Sequence, residues 1–256
     1  MTDLSQIRAA LERDEFFLEY LPTMSLADGR CIGAEALIRW RREGGVTPPN
    51  DFIPLTDNTF VSGLITYWVL ERVSAELGEW LVANPDMHMA INAPPEILGR
   101  GALMYAASKA GLRKIASQLI LEITERGVPD AIGITSINER GGIGAKLALD
   151  DVTLVGGGNL AILARSNFDV IKLDKSLIDQ LDGTDSGPAW LPIITAILDT
   201  SHLMVIAEGV ETERQVHALR AAHIQAAQGF YFSRPISAHA LMAFSRDHGT
   251  MSSTIH

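Results

Sequence analysis

A chain of 256 residues, of which 47% are hydrophobic and 20% charged, has the length and composition of one globular α/β domain. Its formal net charge of -10 argues against binding to a DNA or RNA polymer, because affinity for such a polyanion needs clustered lysine and arginine. Cys31 is the only cysteine, which excludes an intramolecular disulfide, and the most apolar window, residues 61–70, is too short to cross a membrane. We therefore expect a cytoplasmic domain without a membrane segment.

Apolar runs typical of buried strands alternate along the chain with stretches of helical periodicity. In chain order, the predicted strands cover residues 16–21, 31–40, 87–91, 119–123, 146–149, 170–173, 204–207 and, more weakly, 224–227. The predicted helices cover residues 63–83, 101–109, 130–139, 160–164, 189–200, 213–221 and 238–244. This alternation predicts a parallel sheet covered by helices, and eight strands at this spacing predict a (β/α)8 barrel. We expect one domain over residues 1–248 and a flexible tail over 249–256.

Polar residues follow or interrupt most of the predicted strands. Asn92, Glu122, Asp150, Asp151 and Glu208 stand at strand ends, while Glu35, Lys172 and Gln228 lie within or beside other strands. A single residue of this kind is usually a solvated strand end or a helix cap. Because the carboxyl ends of barrel strands form one face, repetition over several strands favours a shared site instead.

Converging carboxylates repel each other unless a cation lies among them. Ligation by Asp, Glu and Asn oxygens, without His or Cys, is what Mg2+ and Mn2+ prefer. Since Asp150 and Asp151 are adjacent, one of them can bridge two ions while the other holds the second ion. The pattern therefore predicts a two-metal site of the kind used in phosphoryl transfer.

A set of ordered motifs makes the chain similar to a known family. Glu35-Ala36-Leu37 followed by Arg39 resembles the EAL signature with its trailing arginine. The motifs that follow are FIPLTDNT at 52–59, INAP at 91–94, LEITE at 121–125, LDD at 149–151, IKLD at 171–174, AEGVET at 207–212 and QGFYFSRP at 228–235. The chain thus resembles the EAL-domain cyclic di-GMP phosphodiesterases from about residue 7 to residue 244.

The resemblance implies a fold, a reaction and a set of site residues. The fold is a (β/α)8 barrel whose first strand is antiparallel, and the reaction is hydrolysis of the bacterial second messenger cyclic di-GMP to linear pGpG, commonly in a homodimer. Glu35, Asn92, Glu122 and Asp150 match the ligands of a first Mg2+ or Mn2+ ion, and Asp150 and Asp151 match those of a second. Lys172 matches the lysine beside the hydrolytic water, and Glu208 matches the glutamate that either accepts the proton of that water or assists the second metal. Arg39 matches a phosphate contact, Glu211 and Gln228 match further substrate-binding residues, and Glu125 matches the anchor of the loop after the Asp pair.

The chain departs from the family pattern mainly in that loop. Active members usually read DDFGTGYSS, whereas residues 150–159 here read DDVTLVGGGN. Leu21 replaces a family glutamine, and Ala93-Pro94 replaces a serine-containing turn after Asn92. Retention of every matched metal ligand favours catalysis. Two alternatives stay open: a catalytically silent cyclic di-GMP receptor, and an interaction domain that binds no nucleotide.

Overall fold

The fold is a closed barrel of strands surrounded by helices. It comes from a computed structural model. The structure describes residues 3–57, 59–94, 108–124, 144–153, 167–183 and 187–249. The strands are β1 Phe16–Ser25, β2 Cys31–Arg42, β3 Gly45–Thr47, β4 His88–Asn92, β5 Leu119–Thr124, β6 Lys146–Val152, β7 Val170–Leu173, β8 Met204–Ala207 and β9 Ala226–Ala227. Eight of them close the ring in the order β1-β9-β8-β7-β6-β5-β4-β2, because β1 also pairs with β2. The short strand β3 extends β2 outside the ring as a hairpin.

The first strand runs against its neighbours, as the family resemblance implied. β1 is antiparallel to both β2 and β9, whereas the other pairs around the ring are parallel. The carboxyl ends of these parallel strands therefore lie at one mouth of the barrel, which is where barrel enzymes carry their active sites.

Helices cover the outside of the barrel. They are α1 Leu4–Glu12, α2 Phe60–Ala83, α3 Lys175–Ile178, α4 Leu191–Thr200, α5 Glu213–Ala221 and α6 Ala238–Asp247. Side-chain caps fix several starts: the Thr59 hydroxyl accepts from the Val61 amide at the start of α2, and Thr212 and Gln215 form a capping box at the start of α5. Among the described residues, no helix has the length and apolar character needed to cross a bilayer.

Two apolar layers fill the interior. The larger layer lies between the strands and the helices and includes Trp40, whose ring packs against Phe16 and Phe52 at centroid distances of 5.3 and 5.5 Å. The smaller layer fills the barrel itself and consists of Ala90, Ile120, Ala148, Val170, Ile206 and Ala226. Three alanines in this inner layer leave room at the mouth for charged side chains that reach the barrel axis.

One pair of strands rises above the ring. β2 pairs with β4 only at Gly33 to Glu35, and β1 pairs with β9 only at Met24 and Ser25. Residues 16–20 of β1 and 36–40 of β2 therefore form a two-stranded wall on the mouth side, here called the projecting ribbon.

Most predicted elements agree with the structure, and the barrel prediction is confirmed. All eight predicted strands are present, and the helices predicted at 63–83, 189–200, 213–221 and 238–244 correspond to α2, α4, α5 and α6. α1, α3 and β3 were not predicted. The helices predicted at 130–139 and 160–164, and all but the end of the one at 101–109, lie outside the described residues. The domain boundary at 248 stays a prediction, since the tail from residue 250 also lies outside them.

Candidate functional site

Four carboxylates, each within or directly after a different strand, surround one buried ammonium group. The Lys172 Nζ atom on β7 lies 3.1 Å from Glu35 Oε2, 2.7 Å from Glu122 Oε1, 3.2 Å from Asp150 Oδ1 and 2.5 Å from Glu208 Oε1. The Lys172 side chain is only 2% exposed. A buried lysine needs compensating negative charge, and these four groups supply more than one ammonium requires.

The titration behaviour of the cluster reflects this excess of negative charge. Burial would lower the pKa of Lys172, but the negative charge of its four neighbours outweighs it and holds that pKa well above its usual value. Burial and then the charge of Glu35 raise the pKa of Glu122 well above its usual range, and burial raises the pKa of Glu208 to about 8. Burial opposes ionisation of Glu35 as well, but Lys172 and hydrogen bonds lower its pKa. The single ammonium group of Lys172 therefore does not balance the negative charge that the four carboxylates would carry if all were ionised.

The oxygen atoms of the cluster fit a divalent cation. Within the described part of the chain, Glu122 Oε2 is buried without a hydrogen-bond partner. Glu122 Oε1 and Asp150 Oδ1 lie at ion-pair distance from Lys172 but without hydrogen-bond alignment. Buried oxygens with unused lone pairs, in a set that contains oxygen ligands only, are what Mg2+ or Mn2+ would satisfy.

Two amide side chains hold the carboxylates in place. Asn92 Nδ2 donates to Glu35 Oε1 at 3.3 Å, and Gln228 Nε2 donates to Glu35 Oε2 at 2.7 Å and to Glu208 Oε1 at 2.9 Å. Gln228 Oε1 in turn accepts from the buried hydroxyl of Thr23 at 3.2 Å. Thr23 is a member of this network that the sequence analysis missed, because a threonine within an apolar strand gives no signal of its own.

A β-bulge explains how two consecutive aspartates reach the same site. In the pairing of β6 with β7, Asp150 and Asp151 together stand opposite the single residue Lys172. Asp151 takes a left-handed backbone conformation with φ of 56°, which turns the chain so that adjacent side chains need not point to opposite faces. Carboxylate oxygens of Asp150, Asp151 and Glu208 lie within 4.8 Å of one another, a spacing that can hold a metal ion.

A cavity of about 480 Å3 opens beside the cluster. It extends from Glu122, Asp150 and Asp151 to the first turns of α2, and Leu37, Asn92 and Pro94 also line it. The volume lies within the range typical of small-molecule sites, so the acidic cluster faces a space of ligand size.

The remaining predicted site residues lie at or beyond the rim. Arg39 Nε donates to Glu19 Oε2 at 2.7 Å on the projecting ribbon, and so contacts a carboxylate outside the cluster. Glu211 is half exposed and pairs with Lys175 Nζ at 2.9 Å. Glu125 lies outside the described residues, as does the loop after Asp151 from residue 154 onward. The structure thus gathers eight of the eleven predicted residues at the mouth and places Arg39 and Glu211 apart from them.

The fold and the site define a (β/α)8 barrel with a buried, metal-compatible acidic cluster at its strand ends. The model of the EAL domain family matches residues 4–235, and the chain therefore belongs to that family.

Named relatives and a solved structure agree with this assignment. The chain is 34% identical over 249 residues to "Cyclic di-GMP phosphodiesterase NbdA" of Pseudomonas aeruginosa, covering 94% of this chain and 31% of that protein. It is 30% identical to "Probable cyclic di-GMP phosphodiesterase PdeB" of Escherichia coli, covering 95% of this chain and 47% of that protein. The structure titled "PaMucR Phosphodiesterase, c-di-GMP complex" superposes with a TM-score of 0.81 at 31% identity, covering 93% of this chain and 98% of that one. The chain thus spans about a third to a half of the two curated relatives.

Proposed function

We propose that this domain hydrolyses one phosphodiester bond of cyclic di-GMP to give linear pGpG, with Mg2+ or Mn2+ as cofactor. The observation that carries the proposal is the cluster of four carboxylates around Lys172, two of which, Glu122 and Asp150, line a cavity of ligand size. The names of the relatives supply the substrate, since one is named a cyclic di-GMP phosphodiesterase and the other a probable cyclic di-GMP phosphodiesterase.

The metal would be held by oxygen ligands from several strand ends. Glu35, Asn92, Glu122 and Asp150 are the proposed ligands of a first ion, and Asp150 and Asp151 are those of a second. When bound, such ions stabilise negative charge on phosphoryl oxygens and lower the pKa of water. This also answers the charge problem of an acidic protein with an anionic substrate, because the metal ions provide the local positive charge.

Lys172 and Glu208 are the proposed catalytic residues. Lys172 stays protonated among its carboxylates, so its ammonium attracts the hydroxide form of a neighbouring water molecule. Glu208 is 17% exposed, whereas the other three carboxylates in contact with Lys172 are at most 9% exposed. A carboxylate at the open side of the cluster is well placed to accept the proton of the attacking water at an Oε atom.

The substrate contacts are assigned more broadly. We propose that Arg39 binds a phosphate, that Glu211 and Gln228 line the nucleotide site, and that Glu125 anchors the loop after Asp151. We also propose a cytoplasmic location. We further propose a homodimer, and sedimentation of the purified protein at several concentrations tests this oligomeric state.

Product analysis tests the catalytic assignment. We expect purified protein with Mn2+ or Mg2+ to convert cyclic di-GMP to pGpG, and Lys172→Ala and Glu208→Ala each to lose about 100-fold or more of the turnover rate, as is usual for loss of acid–base or electrostatic catalysis. Lys114→Ala, at an exposed lysine away from the mouth, is the matched control and should match the unmodified protein. Equal turnover in all four proteins would contradict the assignment.

A receptor without catalysis is the second candidate. Loop residues 152–159 and Leu21 depart from the pattern of active members and favour it. Nucleotide binding with no pGpG under either metal would establish this second function in place of the first. Absence of both binding and turnover would leave the interaction domain as the remaining reading.

A further inference from the structure

The projecting ribbon carries a row of side chains on the same face as the acidic cluster. In the register of β1 with β2, Leu21 stands opposite Glu35, Glu19 opposite Leu37, and Phe17 opposite Arg39. Residues that stand opposite each other in an antiparallel pair share a face, and alternate residues along a strand share it too. Since Glu35 points inward to Lys172, Glu19 and Arg39 also face the barrel axis, above the cluster.

Arg39 leans from its strand toward the cluster, and Glu19 holds it there. Its Cα lies four residues beyond that of Glu35, about 13 Å along the strand. The Arg39 guanidinium donates from Nε to Glu19 Oε2, and Glu19 stands one pair of positions closer to Glu35 than Phe17, the residue directly opposite Arg39. The Arg39 and Glu19 side chains are 15% and 34% exposed, so the pair is partly shielded from water.

The hydrogen bonds of Arg39 leave most of its donors for a ligand. Nε donates to Glu19, and Nη1 donates to the Ile38 carbonyl at 3.1 Å. Within the described part of the chain, these bonds engage two of the five N–H groups of the guanidinium. Three N–H groups stay available to phosphate oxygens, which guanidinium binds with paired donors.

We propose that Glu19 is a positioning residue that orients Arg39 for a phosphate of the substrate before the substrate binds. The inference rests on the proposed function, because it assumes an anionic nucleotide in the mouth. A long side chain that is fixed in advance loses less conformational freedom on binding, which raises affinity.

The negative charge of Glu19 acts in the opposite direction, since it repels a phosphate. Glu19 is one-third exposed, so the high dielectric constant of the adjoining water weakens its repulsion of a phosphate. Part of its charge is also neutralised by Arg39 itself. Orientation therefore outweighs repulsion, and removal of Glu19 weakens binding.

Three variants test this inference by the separation of KM from kcat. Glu19→Ala should raise the KM for cyclic di-GMP about three- to tenfold, the range expected when one ordered side chain is released, with kcat changed by less than about twofold. Glu19→Gln keeps an oxygen that accepts from Arg39 Nε, so it should restore most of the lost affinity. Glu12→Ala, an exposed carboxylate on α1, controls for loss of a surface charge.

A double-mutant cycle separates positioning from other effects. In an Arg39→Ala background, Glu19→Ala should cause no further rise in KM, because no guanidinium is left to orient. An equal rise in both backgrounds would overturn the inference, as would a KM at or below that of the unmodified protein in Glu19→Ala alone. If the unmodified protein binds without turnover, the same comparison is made with Kd. If it neither binds nor hydrolyses cyclic di-GMP, the proposed function fails and the inference fails with it.

Discussion

His88 shows how the environment of one side chain fixes its protonation state. Its Nε2 atom lies 2.8 Å from Lys146 Nζ, and its Nδ1 atom lies 3.2 Å from the Ile32 carbonyl oxygen. An ammonium group only donates, so Nε2 must accept, and Nδ1 then carries the proton and donates to Ile32. Burial, followed by the positive charge of Lys146, lowers the pKa of His88. The folded protein therefore favours the neutral form of the His88 imidazole.

This assignment predicts a pH-dependent stability. The unfolded chain takes up a proton at His88 below a pKa of about 6.5, whereas the folded protein resists it until lower pH. The free energy of unfolding contributed by His88 is thus fully present above pH of about 6.5 and decreases as the pH falls below it. Urea denaturation at pH 7.5 and 5.5 should show a smaller decrease for His88→Gln than for the unmodified protein. The same decrease in both proteins would contradict the assignment.

Lys172 has a second consequence at the residue scale, because its ammonium and a bound metal ion would share the same carboxylates. Removing that ammonium in Lys172→Met leaves Glu35, Glu122 and Asp150 without their internal cation. Unit charges at this distance interact by several kcal/mol, so we expect Mn2+ to bind at least about tenfold more tightly, as measured by calorimetry. Lys146→Met, which removes a lysine at the opposite end of the neighbouring strand, should leave the Mn2+ affinity unchanged. Weaker Mn2+ binding by Lys172→Met would show that the lysine supports the metal site.

At the scale of elements, the turn after β9 fixes the position of Gln228. Gly229 has φ of +152°, and a Cβ atom there would lie 2.3 Å from the backbone nitrogen and oxygen of Val210. Since backbone cannot move aside easily, Gly229→Ala should lower the free energy of unfolding by on the order of 3 kcal/mol and reduce turnover through displacement of Gln228.

Gly29→Ala is the matched control for that substitution. Gly29 also has a positive φ, +73°, but nothing lies within 4 Å of a Cβ added there. Its left-handed conformation alone should lower the free energy of unfolding by about 1 kcal/mol. Urea denaturation compares the two variants, and an equal loss would contradict the role assigned to the Val210 contact.

The order of the elements could be predicted from sequence, because barrel strands buried on both faces form continuous apolar runs. The strand ends were found for the same reason: Glu122 and Asp150 each interrupt such a run. Helix α1 was missed because it spans only nine residues and buries only Ile7 and Ala10. β3 was missed because three residues give no usable periodicity.

Contacts that depend on register were out of reach. The bulge at Asp150 and Asp151 arises from one extra residue in the pairing of β6 with β7, and no residue type marks it. The Glu19–Arg39 pair depends on the register of β1 against β2, which is fixed by packing across the whole hairpin. Lys172 contacts four carboxylates because they converge on it from positions up to 137 residues away in the sequence.

On the scale of the whole molecule, a bound metal ion would reconcile the net charge of -10 with the anionic substrate that we propose. Four carboxylates around one ammonium leave an excess of negative charge at the mouth of the barrel. A divalent cation bound there stabilises the folded state in proportion to its affinity and concentration, and it also prepares the site for a phosphate.

Oxygen-isotope labelling tests the central claim, that this mouth adds water to a phosphodiester bond. The purified protein is incubated with Mn2+ and cyclic di-GMP in water enriched in oxygen-18, and the nucleotides are analysed by mass spectrometry. We expect linear pGpG with one oxygen-18 atom in its terminal phosphate, and at least about 100-fold less of this product from Lys172→Ala in the same time. If the protein is shown to bind both cyclic di-GMP and Mn2+ and the cyclic di-GMP is nevertheless recovered intact, the claim of hydrolysis is contradicted.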